Sequence, residues 1–174
     1  MNGTEPALTF HVSVRSDASP GALYDTLADL TTSLEWGGKD APRKTFRLLS
    51  MDAPSRLAKV GDTFTSSGEN GNGTFHDRSS VVEADPGRRF GFDTDSTFER
   101  THGKTWYARF AHRYTIEPSG TGSVLAYDGE VRPQNYVPYW LRPVVRRMTR
   151  VMVNRMIRAN LVNLARRAAA ARPF

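Results

Sequence analysis

Leu8, Phe10, Val12 and Val14 alternate with Thr9, His11, Ser13 and Arg15, the period-two pattern of a strand with one buried face. Ser16-Asp17-Ala18-Ser19-Pro20 ends that run, with Ser19 placed as an N-cap and Pro20 at the first helical position. Leu23, Leu27 and Leu30 then recur at helical spacing. They predict a helix to about Asp29, followed by a short second helix over Thr32–Trp36. The glycines, Pro42 and charges between Gly37 and Lys44 read as loop. Six strand-like runs follow: Phe46–Met51, Asp62–Glu69, Thr74–Glu83, Arg89–Thr97, Thr105–Ile116 and Val124–Val131. Turn residues separate the later ones, in Asn70-Gly71-Asn72-Gly73, Asp85-Pro86-Gly87 and Pro118-Ser119-Gly120-Thr121-Gly122. Such short links between alternating runs predict consecutive antiparallel hairpins.

From Tyr139 onward the chain reads as helix, but its apolar positions change sides. Leu141, Val144, Val145, Met148, Val151 and Met152 form one stripe at 3.6-residue spacing. Ile157, Leu161, Leu164 and Ala168 form another, roughly opposite. The arginines change sides as well: Arg142, Arg146 and Arg150 oppose the first stripe, while Arg155, Arg158 and Arg166 oppose the second. A straight helix cannot turn both stripes to one core. A kink or break near Val153–Met156 is therefore expected, or a first half that packs against something else.

The chain has 174 residues, enough for one domain with a full core and too few for two. It has no cysteine, which excludes disulfides, thiolate metal sites and a cysteine nucleophile. The start, MNGTEPALTF, has neither a basic nor an apolar leader segment, and no run is long and apolar enough to span a bilayer. A cytoplasmic location is expected. The formal charge is +6, unevenly distributed. Glu130 is the last acidic residue and ten arginines follow it. The other 14 of the 24 basic residues face all 18 acids, so the chain before those arginines carries 14 − 18 = −4. A basic tail suits nucleic acid or an anionic membrane through Arg142, Arg146 and Arg150. Their helical spacing also suits a plain solvated face, and no aromatic platform accompanies them.

The element order resembles the START-like (SRPBCC, helix-grip) superfamily, in particular its polyketide cyclase/dehydrase branch. The segments that carry the likeness are VVEADPGRRFGF (Val81–Phe92), RYTIEPSGTGSVL (Arg113–Leu125) and NLVNLARRA (Asn160–Ala168). The resemblance extends over nearly the whole chain, taken as a single domain over 1–174. It implies an α+β helix-grip fold: a curved seven-stranded antiparallel sheet wrapped around a long C-terminal helix, with two short helices after the first strand. It also implies a cavity for an apolar small molecule, such as a polyketide, between sheet and helix, and no cofactor. Members of the superfamily bind, catalyse ring closure or sequester antibiotics. One group, the enediyne self-sacrifice resistance proteins, surrenders a glycine Cα hydrogen to the drug and is cleaved there.

On the sixth predicted strand Trp106, Ala108, Phe110, His112, Tyr114 and Ile116 share a face, which the family pattern turns inward. Inward aromatics beside a few polar groups suit an apolar ligand with some oxygens. Trp106, Phe110, His112 and Tyr114, with Phe90 and Phe92, are the expected ligand contacts. His112 is the candidate acid–base group if the protein is an enzyme, with Tyr114 or Tyr107 as orienting hydroxyls. The plainer reading is a core histidine bonded to a neighbouring strand. Gly91, between Phe90 and Phe92, marks either a bulge or a Cα–H left open to a reactive ligand. Gly103 and Gly129 are weaker candidates for that role. His76 and Asp77 point to opposite faces of one strand, so adjacency does not make them a dyad. Asp128 and Glu130 share a face, at a pocket mouth or in solvent. His11, His76, His102 and His112 have no metal-ligand spacing, and GENGNG (Gly68–Gly73) opens no helix. Binding of an apolar or aromatic metabolite, with a carrier or antibiotic-resistance role, is the favoured function. A cyclase/aromatase-type enzyme is the alternative.

Overall fold

The long runs of alternating residues fold into a seven-stranded sheet in a computed structural model. The structure describes residues 7–38, 46–71, 73–101, 103–133 and 142–171. His102 and Tyr139–Leu141 lie outside them, as do the side chains of residues 142–149. The chain runs β1 (Leu8–Ser16), α1 (Pro20–Ala28), a 3-10 turn (Leu30–Thr32), α2 (Ser33–Trp36), β2 (Arg47–Asp52), β3 (Thr63–Asn70), β4 (Gly73–Asp85), β5 (Arg89–Arg100), β6 (Thr105–Ser119), β7 (Gly122–Pro133) and α3 (Arg142–Ala170). Strands β2 to β7 meander as neighbours, and β1 joins antiparallel beside β7. All the expected strands and the two short helices are present, with ends within a few residues of the expected ones.

Local chemistry sets the boundaries. The Ser19 side chain accepts a hydrogen bond from the Ala22 amide, and Pro20 opens α1, which supplies a partner for one unsatisfied N-terminal donor. Gly87 (φ +71°) and Gly120 (φ +60°) take the left-handed conformation at the β4–β5 and β6–β7 turns, where a side chain would be strained. The Ile116 amide donates to the Arg88 carbonyl at 2.7 Å, tying the first of those turns to β6.

One face of the sheet is the inner one. Phe10, Val12 and Val14 of β1, Leu125 and Tyr127 of β7, Tyr114 and Ile116 of β6, and Phe90 of β5 are buried there. Above them pack Leu23 and Leu27 of α1 and Ile157, Leu161, Leu164, Ala165 and Ala168 of α3. Burial of each large aliphatic side chain stabilises the fold by roughly 1.5–3 kcal/mol. The outer face carries cross-strand ion pairs, among them Arg113–Asp93 and Arg109–Asp95.

At its midpoint, through Val153–Met156, α3 stays helical without a break and is continuous over 29 residues. The second apolar stripe is the one that packs, and it fastens the helix to β1, α1 and α2. Of the first stripe, Val151 and Met152 are 58% and 57% exposed. An unbroken helix keeps its backbone hydrogen bonds, at the cost of two apolar side chains left in water. The Asn160 carboxamide oxygen accepts from the Gly38 amide at 3.1 Å, and Arg167 pairs with Glu35. Both contacts join the second half of α3 to the α2 region.

Candidate functional site

The inner face is solid near α1 and the second half of α3, and becomes partly exposed further along the central strands. The strand registers arrange that second region in cross-strand rows. One row is Ser66, Asp77, Ser96 and Ala108. The next, toward the core, is Phe64, Ser79, Thr94 and Phe110. Beyond it lie Val81, Phe92, His112 and Gly129. On the opposite side of the first row are Gly68, Phe75, Phe98 and Trp106. Short polar side chains therefore form a floor, and large aromatic ones surround it.

The surrounding rings touch in sequence. Phe75 and Phe98 have centroids 6.2 Å apart, Phe98 and Phe110 6.3 Å, Phe110 and His112 5.8 Å, His112 and Phe92 4.5 Å, and Phe92 and Phe64 5.2 Å. Phe92 and His112 are stacked at 24°, whereas Phe64 meets Phe92 edge-on. The result is a continuous aromatic arc around Asp77, Ser79, Thr94 and Ser96. Of these groups Phe92, Phe98, Phe110, His112, Ser66 and Asp77 are partly exposed, and the rest are buried. Ser79 and Thr94 bond to each other at 2.8 Å, so the deepest floor hydroxyls satisfy one another.

His112 is held from the side. Its Nδ1 lies 2.9 Å from the Tyr127 hydroxyl, and that phenol reaches it by lying over Gly129, where a Cβ would be 2.5 Å from the hydroxyl oxygen. Burial, with Arg113 adding to it and Asp93 opposing, pushes the His112 imidazole down to about 4. The ring is neutral at pH 7. Burial pushes the Tyr114 phenol well above its ordinary value, and Tyr127 likewise, with Tyr114 and Asp128 adding to the second shift. Both stay protonated.

Asp77 is the inner-face residue that sequence reading missed. Its carboxylate accepts from Ser96 Oγ at 2.5 Å and from Ser66 Oγ at 3.5 Å. Burial raises it to about 6, against the opposing effects of Ser96, Ser66 and His76. The alternation of β4 put it opposite His76; only the register shows that it shares the face of His112. The two do not meet. Ala108, in line with Asp77 on β6, is four residues from His112, or about 13 Å along the strand.

The sequence of a family described as polyketide cyclase/dehydrase and lipid transport matches residues 7–169. The chain belongs to that family. No curated protein matches the sequence. Solved structures share the fold at low identity. A protein from Rhizobium leguminosarum is 10% identical with a TM-score of 0.63, over 95% of this chain and 96% of that one. Major latex-like protein 151 from Panax ginseng is 8% identical with a TM-score of 0.60, over 93% and 97%. DynU16, a protein of the dynemicin biosynthetic locus, is 15% identical with a TM-score of 0.55; the likeness covers 97% of this chain but 49% of DynU16. The fold is the START-like helix-grip fold that the sequence resembled.

Not all of the family member's expected contacts gather in one place. Phe92, Phe110 and His112 are together in the aromatic arc. Phe90 and Tyr114 lie deeper, buried in the core, with Phe90 edge-on to Tyr24 at 6.3 Å. Trp106 is at the far end of β6, 37% exposed with Arg100 over its ring, and Tyr107 is exposed on the opposite face. Gly91 sits beside a β-bulge in β4, between Val81 and Glu83. Its side-chain position faces the outer side and is already occupied: a Cβ there would meet Arg113 Cδ at 2.9 Å and Glu83 Cβ at 3.4 Å. The side-chain position of Gly91, expected to open toward a ligand, is thus directed away from the inner face. Asp128 and Glu130 are occupied, by His11 at 2.7 Å and Arg132 at 2.5 Å. Gly103 is at the β5–β6 turn. Among the described residues no cluster of His, Asp and Glu could hold a metal, and no helix is long and apolar enough to cross a membrane.

Two open depressions of about 640 and 610 Å³ lie over β2–β5. Most of their lining, including Thr65, Ser67, His76, Arg78 and Asp95, belongs to the outer face. They lack the aromatic enclosure that a small apolar ligand requires.

Proposed function

We propose that this protein binds an apolar or aromatic small molecule within the aromatic arc of its inner face and acts by holding it, as a carrier or by sequestration. The observation that carries this reading is the ring sequence Phe98–Phe110–His112–Phe92, partly exposed over a floor of hydroxyls. Flat apolar molecules gain both area burial and offset-stacking energy on such walls, and the hydroxyls and imidazole give them direction. The description of its family as polyketide cyclase/dehydrase and lipid transport supports a polyketide-type natural product as ligand, and antibiotic resistance is the role proposed with it. That role is proposed as sequestration without cleavage of the chain, because the side-chain position of Gly91 faces the outer side, under Arg113, and not the ligand surface.

Binding is favoured over ring-closing catalysis by the state of His112. A general base works best with a pKa near the working pH, and an imidazole held at about 4 is a poor proton acceptor at neutrality. Asp77 lies too far away to serve it as a partner. Native mass spectrometry of the protein purified from its own host tests this reading. A non-covalent adduct of small-molecule mass, released unchanged on denaturation, is expected. An adduct that the protein converts, with conversion abolished in His112→Ala, would establish the enzyme instead.

A further inference from the structure

We infer that the ligand carries a protonated amine and that Asp77 determines specificity for it; the inference rests on the ligand-binding reading above. Three observations converge on this. First, Asp77 is the one ionisable side chain on the polar floor among the described residues, and no ion pair forms at it there. Its basic sequence neighbours, His76 and Arg78, are exposed on the outer face. Second, its partners among the described residues leave acceptor capacity unused. A carboxylate has about four lone-pair sites; Ser96 fills one at 2.5 Å, and Ser66 reaches another only at 3.5 Å. Third, the anion is flanked by aromatic rings. Phe75 and Phe98 lie in the cross-strand row on one side of it, Phe64 and Phe110 in the row on the other, and aromatic faces attract cations electrostatically.

A carboxylate flanked by aromatic rings has lost much of its hydration, and no side chain among the described residues gives it a counter-ion. That is a costly arrangement for a binding site meant for neutral molecules. It becomes a favourable one when the ligand brings the cation, because the N–H donors of an ammonium group then fill the vacant acceptor sites with charge-assisted bonds. The apolar body of the same ligand would lie toward Phe110, Phe92 and His112. His112 at the other end, neutral and bonded through Nδ1 to Tyr127, offers its Nε2 to a polar group. The ligand class is therefore an extended, largely apolar molecule with a basic amine at one end.

The test uses two fluorescent probes that differ in a single group: dansylcadaverine, with its terminal ammonium, and N-pentyl dansylamide, which has the same ring and chain without it. Titrated into the wild-type protein at pH 7.5, the amine probe should bind about tenfold more tightly, as expected for a charge-assisted bond. In Asp77→Asn, which keeps a side-chain acceptor for the serines, that preference should disappear through loss of amine-probe affinity alone. Equal binding of the two probes by the wild type would overturn the inference whether or not the variant folds. So would an amine preference that persists in Asp77→Asn. Failure of both probes to bind would overturn the ligand-binding reading itself, and the inference with it.

Discussion

Tyr127 lies across Gly129 and places its hydroxyl 2.9 Å from Nδ1 of His112, the residue paired with Gly129 on the next strand. The absence of a side chain at Gly129 makes room for the phenol, and the phenol orients the imidazole. Gly129→Ala should therefore act on His112 without touching it. Its Cβ would be 2.5 Å from the hydroxyl oxygen and 2.6 Å from Cε1 of Tyr127, so the ring must move. Overpacking of this kind costs about 1–3 kcal/mol. Urea denaturation should show that loss, and imidazole nitrogen NMR should show His112 released from its bond. Unchanged stability and unchanged His112 resonances would contradict this arrangement.

Two of the perturbed inner-face groups, His112 and Asp77, predict pH effects of opposite sign. His112 has a folded value of about 4 against an ordinary 6.5, so below pH 6.5 the unfolded chain takes up a proton that the folded one refuses. Stability falls as pH drops from 6.5 to 4, by at most about 3 kcal/mol. Asp77 has a folded value of about 6 against an ordinary 3.8, so between those limits the folded state holds a proton that the unfolded chain has released. Stability falls as pH rises from 3.8 to 6, again by at most about 3 kcal/mol. Asp77→Asn should melt higher than wild type at pH 7.5 and lose that advantage below pH 4. His112→Phe should flatten the loss between pH 6.5 and 4. Thermal melts across that range check both.

Much of the fold could be read from alternation and turn chemistry, because each strand of a half-buried sheet records its own inner face. The β6 face from Ala108 to Ile116 was legible for that reason. The site was only partly legible, because it depends on how strands align. Period-two alternation separates Asp77 from His76, but only the pairing of Asp77 with Ser96, and of Ser96 with Ala108, places it among the rings. Phe90 and Tyr114 carry the same pattern as Phe92 and His112, yet the first pair is buried and the second partly exposed. Gly91 stands between two inner-facing phenylalanines, so its own side-chain position faces the outer side. On α3, two stripes compete for one core, and Leu161 and Leu164 win because they meet β1 and α1.

The same asymmetry of α3 predicts a gradient of stability along it. Leu161→Ala removes a fully buried side chain and should cost about 2–5 kcal/mol. Val151→Ala, at an exposed position, should change stability by less than about 0.5 kcal/mol. Hydrogen exchange should find the amides around Ile157–Ala168 protected and those around Val151 exchanging sooner. Uniform protection along the helix, with equal costs for the two substitutions, would place a second packed face on its first half.

His112→Phe keeps a ring in the stack and removes the hydrogen bond. If the protein binds without catalysis, ligand affinity should change by about 1–2 kcal/mol, as for one hydrogen bond or packing contact. Calorimetric titration with the ligand recovered from the host would measure it. A hundredfold or larger loss of turnover with binding intact would be the mark of a general acid–base group.

The most direct test of the central claim, that the aromatic arc is the binding surface, is a set of intermolecular NOEs from N-pentyl dansylamide bound to the protein with isotope-labelled phenylalanine and histidine. Contacts from the dansyl rings to Phe92, Phe98, Phe110 and His112 are predicted. NOEs confined to the outer-face depressions, at His76 and its neighbours, would contradict the account.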